Sequence, residues 1–186
     1  MDNVLDRAIV FATEAHEGQF RKGTQIPYIL HPMEAAAIVG TMTTDNEVFA
    51  GAVLHDVVED TDTTVEQVCE LFGERVEELV VSESEDKREN LSAEFTWKIR
   101  KQETLDHLKT ASVDVKMITL GDKLSNIRAI YRDYNTISDA LWQRFNQKDK
   151  NEHHWYYQSI ADCLTELEDY AVYKEYRELL RVTFNQ

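Results

Sequence analysis

The stretch VDVKMITLGDKLSNIR, residues 113–128, decides the fold class. Val113, Met117, Leu120, Leu124 and Ile127 recur at steps of four and three, the spacing that lines one face of an α-helix. Asp122 lies inside this apolar run with Asn126 one turn on, so a carboxylate and an amide project together. A carboxylate in an apolar helix needs a partner that repays its desolvation, and a metal ion is one of the few that does.

The same spacing extends to both sides, and only two prolines and six glycines punctuate 186 residues, which is an all-α signature. Leu5, Ala8, Ala12 and Ala15 mark the inner face of a first helix, and the polar, glycine-containing run from Glu17 to Leu30 reads as an ordered loop. Pro32 suits the first position of a second helix and places His31 at its N-cap boundary. Asp45 caps a third helix through Val48, Ala52 and Val53 to about Val58. Thr63 and Glu66 form a capping-box pattern for a fourth, which Gly73 closes. Ser82 to Ser92 is a charged loop, Ala93 to Thr110 a helix, and two further helices lie near Tyr156–Leu167 and Tyr173–Val182. The expectation is a single all-α domain over residues 1–186, with about eight to ten helices and no strand, repeat or linker.

Composition narrows the classes of function. Hydrophobic residues make up 42% and charged residues 30%, ordinary values for a globular chain, and no run approaches the ~20 apolar residues of a membrane span. Asp2 and Asp6 near the N-terminus do not fit a signal peptide, so a cytoplasmic location is expected. Cys69 and Cys163 are too few for a disulfide framework and read as small buried residues. A formal net charge of −15 argues against nucleic acid and anionic membranes as partners. A small-molecule partner fits, and a homo-oligomer is compatible with the composition.

The segment His55-Asp56-Val57-Val58-Glu59-Asp60 closes the third helix. If its last turn stays helical, His55 and Glu59 share one face, as do Asp56 and Asp60. A His-Asp pair alone is also compatible with a solvated acidic helix end. Agreement among separate segments favours a site, because His31 sits at a helix start and Asp122 in an apolar helix. Two imidazoles and two carboxylates form a mixed N/O set suited to Mn²⁺, Fe²⁺ or Zn²⁺. Such an ion with open coordination positions lowers the pKa of a bound water and polarises a phosphoryl group.

Four motifs carry a family resemblance: Ala15-His16-Glu17-Gly18-Gln19-Phe20-Arg21-Lys22, Pro27-Tyr28-Ile29-Leu30-His31-Pro32, Leu54-His55-Asp56-Val57-Val58-Glu59-Asp60-Thr61, and Leu120-Gly121-Asp122-Lys123-Leu124-Ser125-Asn126-Ile127-Arg128. In order and combination, the chain resembles the HD metal-dependent phosphohydrolase superfamily. Within it, the resemblance is to the hydrolase domain of RelA/SpoT-type alarmone enzymes, particularly the stand-alone small alarmone hydrolases of the Mesh1 kind. It runs over about residues 1 to 130 and more loosely beyond. It implies an HD fold and removal of pyrophosphate from the 3′ position of guanosine tetra- or pentaphosphate with one Mn²⁺. His31, His55, Asp56 and Asp122 then fall on the metal ligands, and Glu59 and Asp60 on the acidic pair that orients or deprotonates the attacking water. Arg21 and Lys22 fall on the basic pair near base and phosphates, and Asn126 on a nucleotide contact. Hydrolysis without synthesis is expected, since no synthetase segment follows the helical one.

Two stretches depart from the family pattern. Gly121 and Ser125 stand where many relatives carry alanine and a histidine or tyrosine, and the segment from Ser82 to Lys101 differs from that of the bifunctional enzymes. The nucleotide could therefore be another one, such as an adenosine alarmone, NADPH or a deoxynucleotide. A non-catalytic nucleotide sensor is the alternative outside enzymes. Beyond the motifs, His16 reads as either a support for the site or a structural histidine. His154, beside Trp155-Tyr156-Tyr157, reads as pocket lining against a nucleobase or as part of an aromatic core, and Lys150 as a phosphate contact or a solvated lysine.

Overall fold

Asn3 and Asp45 each start a helix by the same device, a side-chain oxygen accepting from a backbone N–H two residues on (Leu5 at 3.0 Å, Glu47 at 2.9 Å), which satisfies an otherwise unpaired donor. The computed structural model describes residues 3–85, 88 and 90–184; Asp2 and, in the expected loop, Asp86, Lys87 and Glu89 lie outside the described residues. In chain order the helices are α1 (Val4–Ala15), α2 (Leu30–Val39), α3 (Asn46–Leu54), α4 (Val57–Asp60), α5 (Val65–Phe72), α6 (Glu74–Glu83), α7 (Ala93–Leu108), α8 (Val113–Ile137), α9 (Lys150–Cys163) and α10 (Ala171–Phe184). Short 3-10 turns occupy Ser138–Arg144 and Thr165–Leu167. Among the described residues no strand forms, and an isolated bridge joins Phe20 to Pro27. The architecture is all-α, as the periodicity of residues 113–128 requires.

The chain divides into two compact units, one of Met1–Ser84 with Ser112–Asp122, the other of Glu85–Ala111 with Lys123–Gln186. In the first, α3 is central, with α1, α2 and α6 packed on it. Its core holds Ala8, Ala12, Ala50, Val53, Leu54, Val57, Val68, Phe72, Val76 and Val80, all buried. In the second, α9 packs on α7 and α10. There the Tyr173 and Tyr176 hydroxyls donate to the carbonyls of Ala161 (3.0 Å) and Tyr157 (2.9 Å), so these two tyrosines bury their polar ends with partners.

Several boundaries differ from expectation for local reasons. The third helix ends at Leu54 instead of about Val58, because the His55 ring Nδ1 takes the Ala52 carbonyl at 2.8 Å, the acceptor a continuing helix would give to the Asp56 N–H. The capping box is Thr64 with Gln67, one residue beyond the expected pair, since the Thr63 hydroxyl instead accepts from Thr61 at 2.8 Å. α6 starts without a capping side chain on Gly73 at φ +93°, so no sequence signal marks it. α9 begins at Lys150, well before Tyr156, because Asp149 caps it through the Asn151 N–H at 2.8 Å. Cys69 and Cys163 form no disulfide and are half-buried, not buried.

Gly121 is explained by the close approach of α2 and α8. A Cβ there would lie 2.7 Å from the Ala35 carbonyl oxygen and 3.0 Å from Val39 Cγ2. Backbone cannot yield as a side chain can, so Gly121→Ala is expected to destabilise the protein by ~1–3 kcal/mol, read from chemical denaturation. A wild-type midpoint would contradict this close packing.

Candidate metal centre

His31 enters from the first turn of α2, His55 from the C-terminal end of α3, and Asp122 from α8. All three are buried, at 4%, 2% and 5% exposure, and each offers a ligand atom lying within 4.8 Å of the other two. His31 Nε2 is 3.1 Å from Asp122 Oδ1, and the imidazole rings of His31 and His55 meet edge to face with centroids 5.2 Å apart. Asp56, at the start of α4, reaches in from the rim, its Oδ2 3.1 Å from His55 Nε2 and 3.5 Å from His31 Nε2.

The donor chemistry fits a cation. With His55 Nδ1 spent on the Ala52 carbonyl, its Nε2 is fixed as the inward-facing nitrogen, as in a metal-bound histidine whose other nitrogen is held by an outer hydrogen bond. That Nε2 is buried and, despite its approach to Asp56, has no partner in hydrogen-bond geometry. A buried polar atom left so is costly unless something else occupies its lone pair.

Electrostatics within the cluster are polarised. Burial pushes His31 below the ordinary histidine range, and contact with Asp122 only partly offsets it. Burial would do the same to His55, but the charge of Asp56 and its contact with the ring, joined by Asp122, outweigh it and raise His55. Burial would raise Asp56, yet the neighbouring His55 and His31 hold it well below the usual carboxylate range. The carboxylates thus favour positive charge at the centre of the cluster, where His55 Nε2 points.

The loop between α1 and α2 supplies a second layer. Arg21 N–H donates to the Ile26 carbonyl (2.9 Å) and Tyr28 N–H to the Gln19 carbonyl (2.9 Å), so Arg21 and Tyr28 lie diagonally across the turn, with the guanidinium 5.6 Å from the ring centroid. Lys22 is exposed at the turn beside Arg21. Glu59 and Asp60 both ride on α4, Glu59 half-buried and Asp60 exposed. The Tyr28 hydroxyl lies 2.6 Å from Asp56 Oδ2 and 3.0 Å from Asp60 Oδ2, joining the candidate metal ligand to the candidate base. Burial, then the charges of Asp56 and Asp60, drive the phenol far above its ordinary range, so it stays a donor. The sequence assigned Tyr28 no role; its one available signal was its place one turn before His31, whose N–H donates to the Tyr28 carbonyl at 2.9 Å.

Asn126, Lys150 and His154 belong to the second unit. Asn126 is half-buried on α8. The Lys150 ammonium donates to the Tyr134 hydroxyl at 3.1 Å, and the His154 ring stacks on Phe184 at 5.0 Å with 11° between planes.

The family sequence pattern for the HD domain matches residues 8–149. The chain belongs to the HD-domain family. The matched span includes His31, His55, Asp56 and Asp122. The sequence is 38% identical over 132 residues to the Danio rerio guanosine-3′,5′-bis(diphosphate) 3′-pyrophosphohydrolase MESH1, a stretch covering 69% of this chain and 70% of that protein. It is 35% identical over 130 residues to the Aquifex aeolicus guanosine-3′,5′-bis(diphosphate) 3′-pyrophosphohydrolase, covering 68% of this chain but 18% of that much longer protein. Among solved structures, a metazoan ortholog of SpoT that hydrolyses ppGpp matches this HD-domain chain with a TM-score of 0.78 at 26% identity, over 98% of this chain and 96% of that one. Among the described residues, no helix is long and apolar enough to cross a membrane.

Proposed function

We propose that this HD-domain protein, acting as one domain over residues 1–186, hydrolyses the 3′-pyrophosphate of guanosine 3′,5′-bis(diphosphate). The products are GDP and pyrophosphate; the pentaphosphate gives GTP. The Danio rerio relative carries the reading: it bears that activity in its name, and the matched stretch covers more than two thirds of both chains.

The chemistry divides among residues as follows. His31, His55, Asp56 and Asp122 hold one divalent ion, for which Mn²⁺ suits the mixed imidazole and carboxylate set. When bound, the ion supplies Lewis-acid polarisation of the phosphoryl group and activation of water. Asp60, with Glu59 beside it on α4, orients the attacking water and accepts its proton. The water oxygen bonds to the phosphorus on the 3′ oxygen, that P–O bond breaks, and a proton goes to the departing 3′ oxygen of GDP. Tyr28, whose single hydroxyl proton is shared between Asp56 Oδ2 at 2.6 Å and Asp60 Oδ2 at 3.0 Å, keeps the Asp60 carboxylate beside the proposed ligand. Arg21 and Lys22 bring local positive charge to a chain of net charge −15, which would otherwise repel a polyphosphate. Asn126, Lys150 and His154 are the further candidates for nucleotide contact.

Purified protein loaded with Mn²⁺ and given guanosine tetraphosphate is expected to yield GDP and pyrophosphate in equal amounts, resolved by anion-exchange chromatography. Intact nucleotide in the presence of one bound ion per chain would overturn the reading. Faster turnover of an adenosine alarmone, NADPH or a deoxynucleotide would reassign the substrate.

A further inference from the structure

A line of hydrogen bonds in the first unit ends on the one-turn helix that carries Glu59 and Asp60, and the proposed reaction does not account for its far end. His16, directly after α1, is buried at 3% exposure. Its Nδ1 lies 2.8 Å from Gln19 Oε1, and Gln19 Nε2 donates to the Asp60 carbonyl at 2.7 Å. The Gln19 amide nitrogen is spent on Asp60, so its oxygen faces His16 and the imidazole proton must be on Nδ1. His16 Nε2 is then a bare acceptor, buried and without a partner. The Nδ1 N–H is thus the part of the ring engaged with the loop, through Gln19. The His16 ring also lies against Tyr28, centroids 4.9 Å apart, and the Tyr28 hydroxyl reaches Asp60 Oδ2. Asp60 is thus gripped at two points, its carbonyl by Gln19 and its carboxylate by Tyr28, and His16 braces both grips.

We propose that Gln19, oriented by His16, is a positioning residue that fixes the turn bearing Glu59 and Asp60 without touching the ion or the substrate. α4 needs such a tether. It is a single turn, without a side-chain N-cap hydrogen bond, and an isolated turn this short does not hold itself. Gln19 supplies a donor to the carbonyl at its C-terminal end, where helix carbonyls lack partners. The inference rests on the assignment of Asp60 to the attacking water, and its test has one readout independent of turnover.

Gln19→Leu removes the donor at similar volume. It is expected to lower kcat by about 10- to 100-fold, the usual loss when a residue holding a functional group is removed, with KM within about twofold of wild type and metal content unchanged. The Asp60 and Thr61 amides, which donate to Asp56 and Val57 carbonyls at 2.8 and 3.2 Å, are expected to exchange faster with solvent deuterium. His16→Asn, which retains an N–H near the Nδ1 position, should recover most of the activity that His16→Leu loses. Wild-type kcat and wild-type exchange in Gln19→Leu would overturn the proposal, as would equal losses in the two His16 variants. If the wild-type protein leaves guanosine tetraphosphate intact, the substrate assignment fails, while the exchange rates still decide whether Gln19 holds α4.

Discussion

Asp122→Asn is expected to empty the metal centre and lower hydrolysis of guanosine tetraphosphate by at least about a thousandfold. The ion's stabilisation of transition-state charge is worth several kcal/mol, and each 1.36 kcal/mol is a factor of ten in rate. The substitution is nearly isosteric, which separates chemistry from folding. Asp122 packs at 5% exposure between α2 and the α3 terminus, and asparagine fills the same volume while removing the charge that offsets a dication. Metal content by elemental analysis should fall from about one ion per chain towards zero, while the far-ultraviolet spectrum and cooperative melting persist. Asp56→Ala is expected to act in the same direction. Retained metal with normal turnover in Asp122→Asn would remove this residue from the centre.

The same cluster predicts how pH acts on the wild type. An ion needs neutral imidazoles, yet His55 is raised above its ordinary value by Asp56 and Asp122 once their charges outweigh burial. Metal uptake near neutral pH therefore displaces a proton, about one per ion, detectable as a dependence of binding heat on the buffer's ionisation enthalpy. Affinity should climb as pH rises, because the competing proton becomes scarcer. Without metal the sign runs the other way for His55: its pairing with Asp56 stabilises the fold fully below the unfolded histidine value and is lost as pH rises through the raised one. Asp56, being lowered, contributes above the unfolded carboxylate value and loses its contribution as pH falls through the lowered one.

What was legible in the sequence follows from what side-chain identity encodes. Met117, Leu120, Leu124 and Ile127 report burial by their chemistry, so α8 could be read directly although Val113 at its start is exposed, and Asp122 stood out because it violates that pattern. The donor types of His31, His55 and Asp122 sufficed for a cluster because few alternatives repay burying them together. The break at His55-Asp56 was not legible. Both residues are compatible with a helix, and the chain turns because an imidazole takes a carbonyl from its own helix. Tyr28 and Gln19 stayed hidden for a different reason. A tyrosine or glutamine in a loop is generic, and their partners on Asp56 and Asp60 stand 28, 32 and 41 residues away, a distance that only folding closes.

The double variant Glu59→Gln with Asp60→Asn is expected to lower kcat by about 10²- to 10⁴-fold while one ion stays bound, the range that loss of a general base produces. The separation between metal binding and proton transfer is built into the geometry. His31, His55 and Asp122 are rooted in α2, the end of α3 and α8, and among the proposed ligands only Asp56 adjoins the α4 turn that carries Glu59 and Asp60. Both replacements keep the shape of the side chains, and the Tyr28 hydroxyl can still donate to an amide oxygen at position 60, so the second layer is not dismantled. What disappears is a carboxylate able to accept the water's proton. Turnover at the wild-type rate would show that the proton goes elsewhere and would take the catalytic role from this pair, leaving the metal centre standing. Loss of the ion together with activity would instead make Glu59 or Asp60 part of the coordination sphere. With one ion retained and kcat reduced at nearly constant KM, the missing contribution belongs to the transition state, where a base acts, and not to substrate binding.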